Sequence, residues 1–236
     1  MTRFAIVASA AALVVSPLFA GQVVTFSDPS GLAAEAEFTL LNPTTLEIRL
    51  QNISTDAPDG FDGSDQLLTS ISWDFGQIGA NAADPQITGG SVRIGDFSAS
   101  ANFDSGAYAS MSDVSGEWGY GGGQSGLLTD AISALTAGMT QLPGANLDGP
   151  AGLDGPQGGL VASPAVVSLG GLGAIQDEIV ATLTLDKPVA DLSEVLSNDV
   201  RVEFGSDAAF ITVPEPSAAA LLVGGALTSA LRRGRR

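Results

Sequence analysis

The chain contains no cysteine and no histidine, and it is short of cations: nine Lys and Arg stand against 26 Asp and Glu in 236 residues. Without cysteine there is no disulfide framework and no thiolate metal site. Without histidine the commonest general base and the commonest zinc ligand are gone. A Ser-His-Asp triad, a Cys-His dyad and an HExxH zinc site are therefore excluded. Aromatics are sparse at 6%, yet hydrophobic residues reach 44% and mean hydropathy is +0.28. Such a chain can bury a core and is not a disordered polar tract.

The few cations are unevenly placed. Arg3, Arg232, Arg233, Arg235 and Arg236 lie at the termini. Residues 21–213 keep only Arg49, Arg93, Lys187 and Arg201 against 25 acids, a net charge of about −21. A surface of that sign repels nucleic acid and anionic lipid, because phosphate binding needs clustered Lys or Arg. It suits a soluble domain outside the cell and is compatible with divalent cations.

Residues 1–20 read as a secretory signal. Arg3 makes a positive start, Phe4 to Val15 is a short apolar run, and Ser16-Pro17 breaks it. Ala20 before Gly21 offers a small residue at the cleavage position, so cleavage is expected between them. The run is too short to read as a spanning helix.

The middle, residues 21–212, is expected to form an acidic β domain. Leu46, Ile48 and Leu50 alternate with Glu47, Arg49 and Gln51, and AAEAEFTL (33–40) alternates in the same way across a short loop. Period two with one polar face predicts an antiparallel hairpin over a shared core. Further strands are expected at 22–26, 67–75, 161–169, 178–185, 200–204 and 207–213, and weaker ones at 91–94 and 97–103. In 67–75, Leu67, Thr69, Ile71, Trp73 and Phe75 share one face, and Leu68, Ser70, Ser72 and Asp74 the other. Leu128, Ile132, Leu135 and Met139 fall at i, i+4, i+7 and i+11, which predicts one short helix. Gly149, Gly152, Gly155 and Gly158 recur every third residue, but four triplets cannot hold a collagen helix, and the stretch reads as surface turns. Strand after strand with one helix predicts an all-β fold, an antiparallel β-sandwich or jelly-roll-like domain.

Candidate chemistry is thin. Asp56, Asp59, Asp62 and Asp65 recur every third residue in DAPDGFDGSD, with Gly60 and Gly63 between them. Such a loop brings carboxylates toward a Ca²⁺ ion, although its spacing is not that of an EF-hand and no bidentate Glu follows. The alternative is a solvated acidic loop. Gly121 to Gly126 before the predicted helix resembles a phosphate loop only loosely, since no Lys follows. Trp118 and Tyr120 in a Gly-rich stretch offer a sugar-stacking platform or core residues. Asn52-Ile53-Ser54 fits the N-glycosylation triplet. No acid stands out as lying in an apolar pocket, the setting that raises a carboxyl pKa.

The last 24 residues, 213–236, have three parts: Val213-Pro214-Glu215-Pro216-Ser217, an apolar run from Ala218 to Leu231, and the cluster Arg232, Arg233, Arg235 and Arg236. The prolines end the domain and expose Glu215. The run's 14 residues, Thr228 and Ser229 among them, span about 21 Å as a helix, short for a hydrocarbon core of about 30 Å. The expected short transmembrane segment is 217–231. Four arginines after it stay cytoplasmic by the positive-inside rule.

This order resembles the PEP-CTERM sorting signal of Gram-negative bacteria. The resemblance covers about a tenth of the chain. It implies recognition by an exosortase, a membrane transpeptidase-like protease that processes such tails near the Pro-Glu-Pro. It also implies export through the Sec translocon, transient anchoring in the inner membrane, then a place at the cell surface or in the extracellular matrix, with an association with exopolysaccharide and biofilm. The expectation is a structural or interaction protein, not an enzyme, with no cofactor beyond the candidate Ca²⁺ and no nucleic-acid partner. The rival readings are a polysaccharide- or calcium-binding module and a carboxylate-dependent glycan hydrolase.

Overall fold

The computed structural model describes residues 21–55, 67–75, 84–101, 109–115, 117–121, 128–134, 140–141, 159–163, 174–196, 199–205 and 209–213. The first five strands are β1 (Gln22–Ser27), β2 (Ala33–Asn42), β3 (Thr45–Asn52), β4 (Leu68–Trp73) and β5 (Ile87–Ile94). The next five are β6 (Ala99–Ala101), β7 (Gly119–Gly121), β8 (Asp130–Ser133), β9 (Thr140–Gln141) and β10 (Leu160–Val161). Then come β11 (Ala174–Gln176), β12 (Glu178–Leu185), a single helical turn α1 (Ser193–Leu196), β13 (Val200–Phe204) and β14 (Ala209–Val213).

Among the described residues these strands form two sheets. The five-stranded one runs β1-β2-β3-β12-β5. The nine-stranded one runs β6-β11-β10-β4-β8-β7-β9, with β13 bridging β4 and β14. Pairing is antiparallel throughout except between β10 and β11. The all-β sandwich-like fold is thus the one the alternating patterns predict. In β2, Ala34, Ala36, Phe38 and Leu40 are buried, and in β3 Leu46, Ile48 and Leu50. They face Ile71, Trp73, Ile132, Val202 and Phe204 of the other sheet in one apolar cluster. Phe38 meets Trp73 edge-to-face at 5.9 Å, and Trp73 meets Phe75 at 6.0 Å. These three rings stitch the two sheets together.

Three expectations need correction. The predicted helix over 128–139 is not formed: Asp130–Ser133 is strand β8, paired with β4 on one side and β7 on the other. Leu128 and Ile132 are an even number of residues apart, so their spacing fits a strand as well as a helix turn. Ile132 lies opposite Ile71 and Tyr120, and that cross-strand packing decides the matter. The helix that does form, α1, is one turn closed by the carbonyl of Leu192. The second correction concerns β4. Its pairing with β13 slips between Glu203 and Phe204, passing over Thr69. That bulge turns Leu68, not Leu67, into the core with Ile71 and Trp73. Leu67 packs instead with Val161 and Ala174. The Thr69 hydroxyl anchors the bulge, reaching the carbonyls of Glu203 at 3.1 Å and Gly205 at 2.7 Å. Third, the strand expected at 161–169 is already over after Val161, and residues 164–169 lie outside those described.

Strand β5 carries adjacent glycines of opposite tolerance. A methyl group on Gly90 meets the Thr182 carbonyl oxygen at 2.5 Å, whereas one on Gly89 meets nothing within 4 Å. Gly90→Ala is expected to destabilise the domain by roughly 1–3 kcal/mol, because a backbone atom must move. Gly89→Ala is expected to be neutral or slightly stabilising. Thermal melting of the two variants checks this.

Candidate functional site: a polar pocket at the end of β3

The site grows out of the way β3 ends. Its last residues still pair on both sides, Gln51 with Glu178 and Asn52 with Ala34. Beyond Asn52 the ladder continues through Ile53 N–H to the Ala33 carbonyl and Thr55 N–H to the Gly31 carbonyl. Ser54 fixes the bend: its hydroxyl accepts from Ala33 N–H at 3.0 Å and donates to the Ala33 carbonyl at 3.2 Å. Asn52 is buried and reaches across to the other sheet, donating to the Leu160 carbonyl at 2.7 Å and accepting from Ser54 N–H at 3.0 Å. The Asn of the glycosylation triplet is therefore an internal clamp, not an exposed acceptor.

Against this bend lies the turn between β11 and β12. Asp177 accepts from Gln51 Nε2 at 3.2 Å on one oxygen and from the Ser98 hydroxyl at 2.9 Å on the other. Its own N–H donates back to Ser98 Oγ. Between bend and turn is an open cavity of about 310 Å³, lined by Gln51, Asn52, Ile53, Ser54, Thr55, Ala162, Ser163 and Asp177. Asn52, Ser54 and Ala162 are buried, while Thr55 and Ser163 are exposed at its rim. Among the described residues that line it, Asp177 is the only charged one.

The field around the cavity is negative. All four cations of the domain are committed to carboxylates: Arg49 to Glu178 at 3.2 Å, Arg93 to Asp96 at 2.8 Å, Lys187 to Asp186 at 3.9 Å and Arg201 to Asp199 at 3.1 Å. An anionic ligand meets no unpaired cation here.

In comparisons with protein-family models, curated proteins and solved structures, nothing matched the chain. The site must be read from its own geometry.

Most of the residues singled out in the sequence fall outside the described ones. That holds for Asp56, Asp59, Asp62 and Asp65, for Ala20, for Pro214 to Ser217 and for the Arg232–Arg236 cluster. Gly21 is the first described residue and leads directly into β1. Among the described residues no group of three acids converges to hold a metal ion, and no helix is long and apolar enough to cross a membrane. The sugar platform of Trp118 and Tyr120 is overturned: Trp118 is fully buried, and Tyr120 is partly buried against the same core. The phosphate-loop likeness loses its helix, because β8 follows it.

Four acids are buried among the described residues, Glu117, Asp130, Glu178 and Glu203, and the first two have an oxygen without a hydrogen-bond partner. Glu117 is 5% exposed, its Oε2 has no hydrogen-bond partner, and burial pushes its carboxyl up to about 7. Asp130 is 4% exposed with Oδ2 unpartnered, and burial together with the nearby Asp74 and Asp84 charges pushes it up to about 7. Neither lines the cavity, so neither is placed to act on a ligand bound there. Asp130 is legible only once β8 is known to be a strand, because it then shares the inward face of Trp73.

Proposed function

We propose that the protein is an exported, acidic β-sandwich displayed at the cell surface or in the extracellular matrix of a Gram-negative bacterium, with a structural or interaction role and no catalytic one. The observation that carries this reading is the order of parts in 213–236: Pro-Glu-Pro, an apolar run, then four arginines. The run is too short for a comfortable span and is bordered by a stiff Pro-Glu-Pro, which suits a removable address better than a permanent anchor. On this reading the Sec translocon exports the chain, the tail holds it briefly in the inner membrane, and an exosortase processes it near Pro214–Ser217. The domain supports the same reading by its charge. With every cation paired, its surface favours solubility outside the cell over contact with nucleic acid or anionic lipid.

The test is substitution in the native host. Replacing Pro214 and Pro216 by Ala, or the four arginines by Ser, is expected to leave an unprocessed precursor in the inner membrane and to deplete the surface form. Normal processing and release of both variants would sink the sorting reading.

A further inference from the structure

The cavity at the end of β3 has the size and the chemistry of a small-ligand site. Its volume, about 310 Å³, lies at the lower end of the ~300–1,000 Å³ usual for ligand pockets. Its lining mixes hydroxyls (Thr55, Ser163), an amide (Gln51) and one carboxylate (Asp177) with two apolar patches, Ile53 and Ala162. Asp177 takes one hydrogen bond on each oxygen, and a carboxylate oxygen can accept a second. The site thus presents acceptors and donors side by side, the pattern that a hydroxyl, itself donor and acceptor, satisfies best.

The alternatives fail on charge. An anion meets Asp177 and no unpaired cation. Among the described lining residues a metal ion finds a single carboxylate, already hydrogen-bonded on both oxygens. A neutral polyhydroxylated ligand has neither problem.

A second observation points the same way. Phe97 is fully exposed, at 101% of its reference area. It immediately precedes Ser98, whose hydroxyl donates to Asp177 Oδ1 at 2.9 Å. The backbone of that turn is tied down as well, Ser98 N–H donating to the Gly95 carbonyl. A bare aromatic ring is thereby held one residue from the group that grips the pocket's carboxylate. A lone exposed ring is ordinary on a protein surface; what singles Phe97 out is its place beside Ser98, which bonds the cavity's carboxylate. The C–H face of a sugar is an apolar surface of the right size, and it comes with hydroxyls that the neighbouring cavity can take.

We propose that this cavity binds one unit of a neutral saccharide, with Asp177, Gln51, Thr55 and Ser163 taking its hydroxyls and Phe97 stacking on the adjoining unit. The proposal concerns the domain alone and does not depend on how the tail is processed.

The experiment uses the full chain in detergent solution. Neutral hexoses and short neutral oligosaccharides are titrated beside matched uronic acids, with saturation-transfer NMR and calorimetry as readouts. Neutral sugars are expected to bind and uronic acids to bind at least tenfold more weakly. Thr55→Trp, which fills the mouth, is expected to weaken all binding tenfold or more. Phe97→Ala is expected to weaken oligosaccharides by roughly three- to tenfold and to leave single hexoses unchanged. Both residues are exposed, so unchanged melting of these variants keeps the test clean. No binding of neutral sugars at millimolar concentration overturns the proposal. So does a preference for uronic acids, or binding that Thr55→Trp leaves intact.

Discussion

Replacing Glu117 by Gln and Asp130 by Asn is expected to raise the stability of the domain at pH 8 and to leave it nearly unchanged at pH 4. Both carboxyls are buried with an oxygen lacking any partner, and both are pushed up to about 7 from ordinary values of 4.5 and 3.8. A raised carboxyl means that the folded state holds its proton more tightly than the unfolded chain does. Below about pH 3 both states are protonated and the group costs nothing. As pH rises from there to 7 the unfolded chain ionises first, and stability falls. Above 7 both states are ionised and the loss is complete. By linkage Glu117 removes about 3 kcal/mol and Asp130 about 4 kcal/mol, at roughly 1.4 kcal/mol per pH interval of one. Against a typical total of about 5–15 kcal/mol, the pair is a large term. Asp74 and Asp84 add like charge beside Asp130. Asp113 works in the opposite sense: hydrogen bonds from Ser115 lower its carboxyl, and that contribution is lost only in stronger acid. Urea melts from pH 4 to pH 9 check the expectation. The wild type should lose stability steadily up to about pH 7, and the double variant should keep only a shallower slope, since burial also raises the Glu178 carboxyl. Parallel curves for the two proteins would show that these groups do not set the pH dependence.

The second large effect is expected at Trp73. Trp73→Ala should destabilise the domain by about 3–5 kcal/mol, enough to leave much of it unfolded at 37 °C. The ring is fully buried, lies on the central strand β4, and makes edge-to-face contacts with Phe38 of the opposite sheet and with Phe75. Removing it opens a cavity between the sheets that neither neighbour can fill. Its Nε1 has no hydrogen-bond partner, so part of its burial works against stability. Trp73→Phe deletes that orphan donor while keeping a ring. It is expected to cost about 1–2 kcal/mol, well under half the alanine value. Equal losses in the two variants would mean that the orphan nitrogen and the ring volume had been weighed wrongly.

The fold was legible where one face of a strand meets the core and the other meets water. β2 and β3 show this most plainly, since Phe38, Leu40, Leu46, Ile48 and Leu50 alternate with charged or polar residues and are all buried. It was less legible where a strand is covered on both sides. β4 is buried along its whole length, Ser70 and Ser72 included, so its serine face does not mark the side that meets water, and the bulge at Thr69 then shifts its inward set by one. β8 failed for a related reason. Four residues flanked by small and polar ones cannot separate a period of 2 from one of 3.6, and only the partners β4 and β7 decide it. The candidate site was hidden because it has no motif. Asn52 and Asp177 are 125 residues apart in sequence and meet through the pairing of β3 with β12. Phe97 looked like a strand residue, and its exposure follows from the turn before β6. The acids that the sequence did advertise, Asp56 to Asp65, lie outside the described residues.

The central claim is that the tail is an address removed on the way to the surface. Intact-mass measurement of the protein recovered from the surface fraction of its native host tests it most directly. The account predicts a chain that begins at Gly21, ends near Pro214–Ser217 and lacks the four terminal arginines. A chain that still ends at Arg236 and is recovered only from the inner membrane would contradict it.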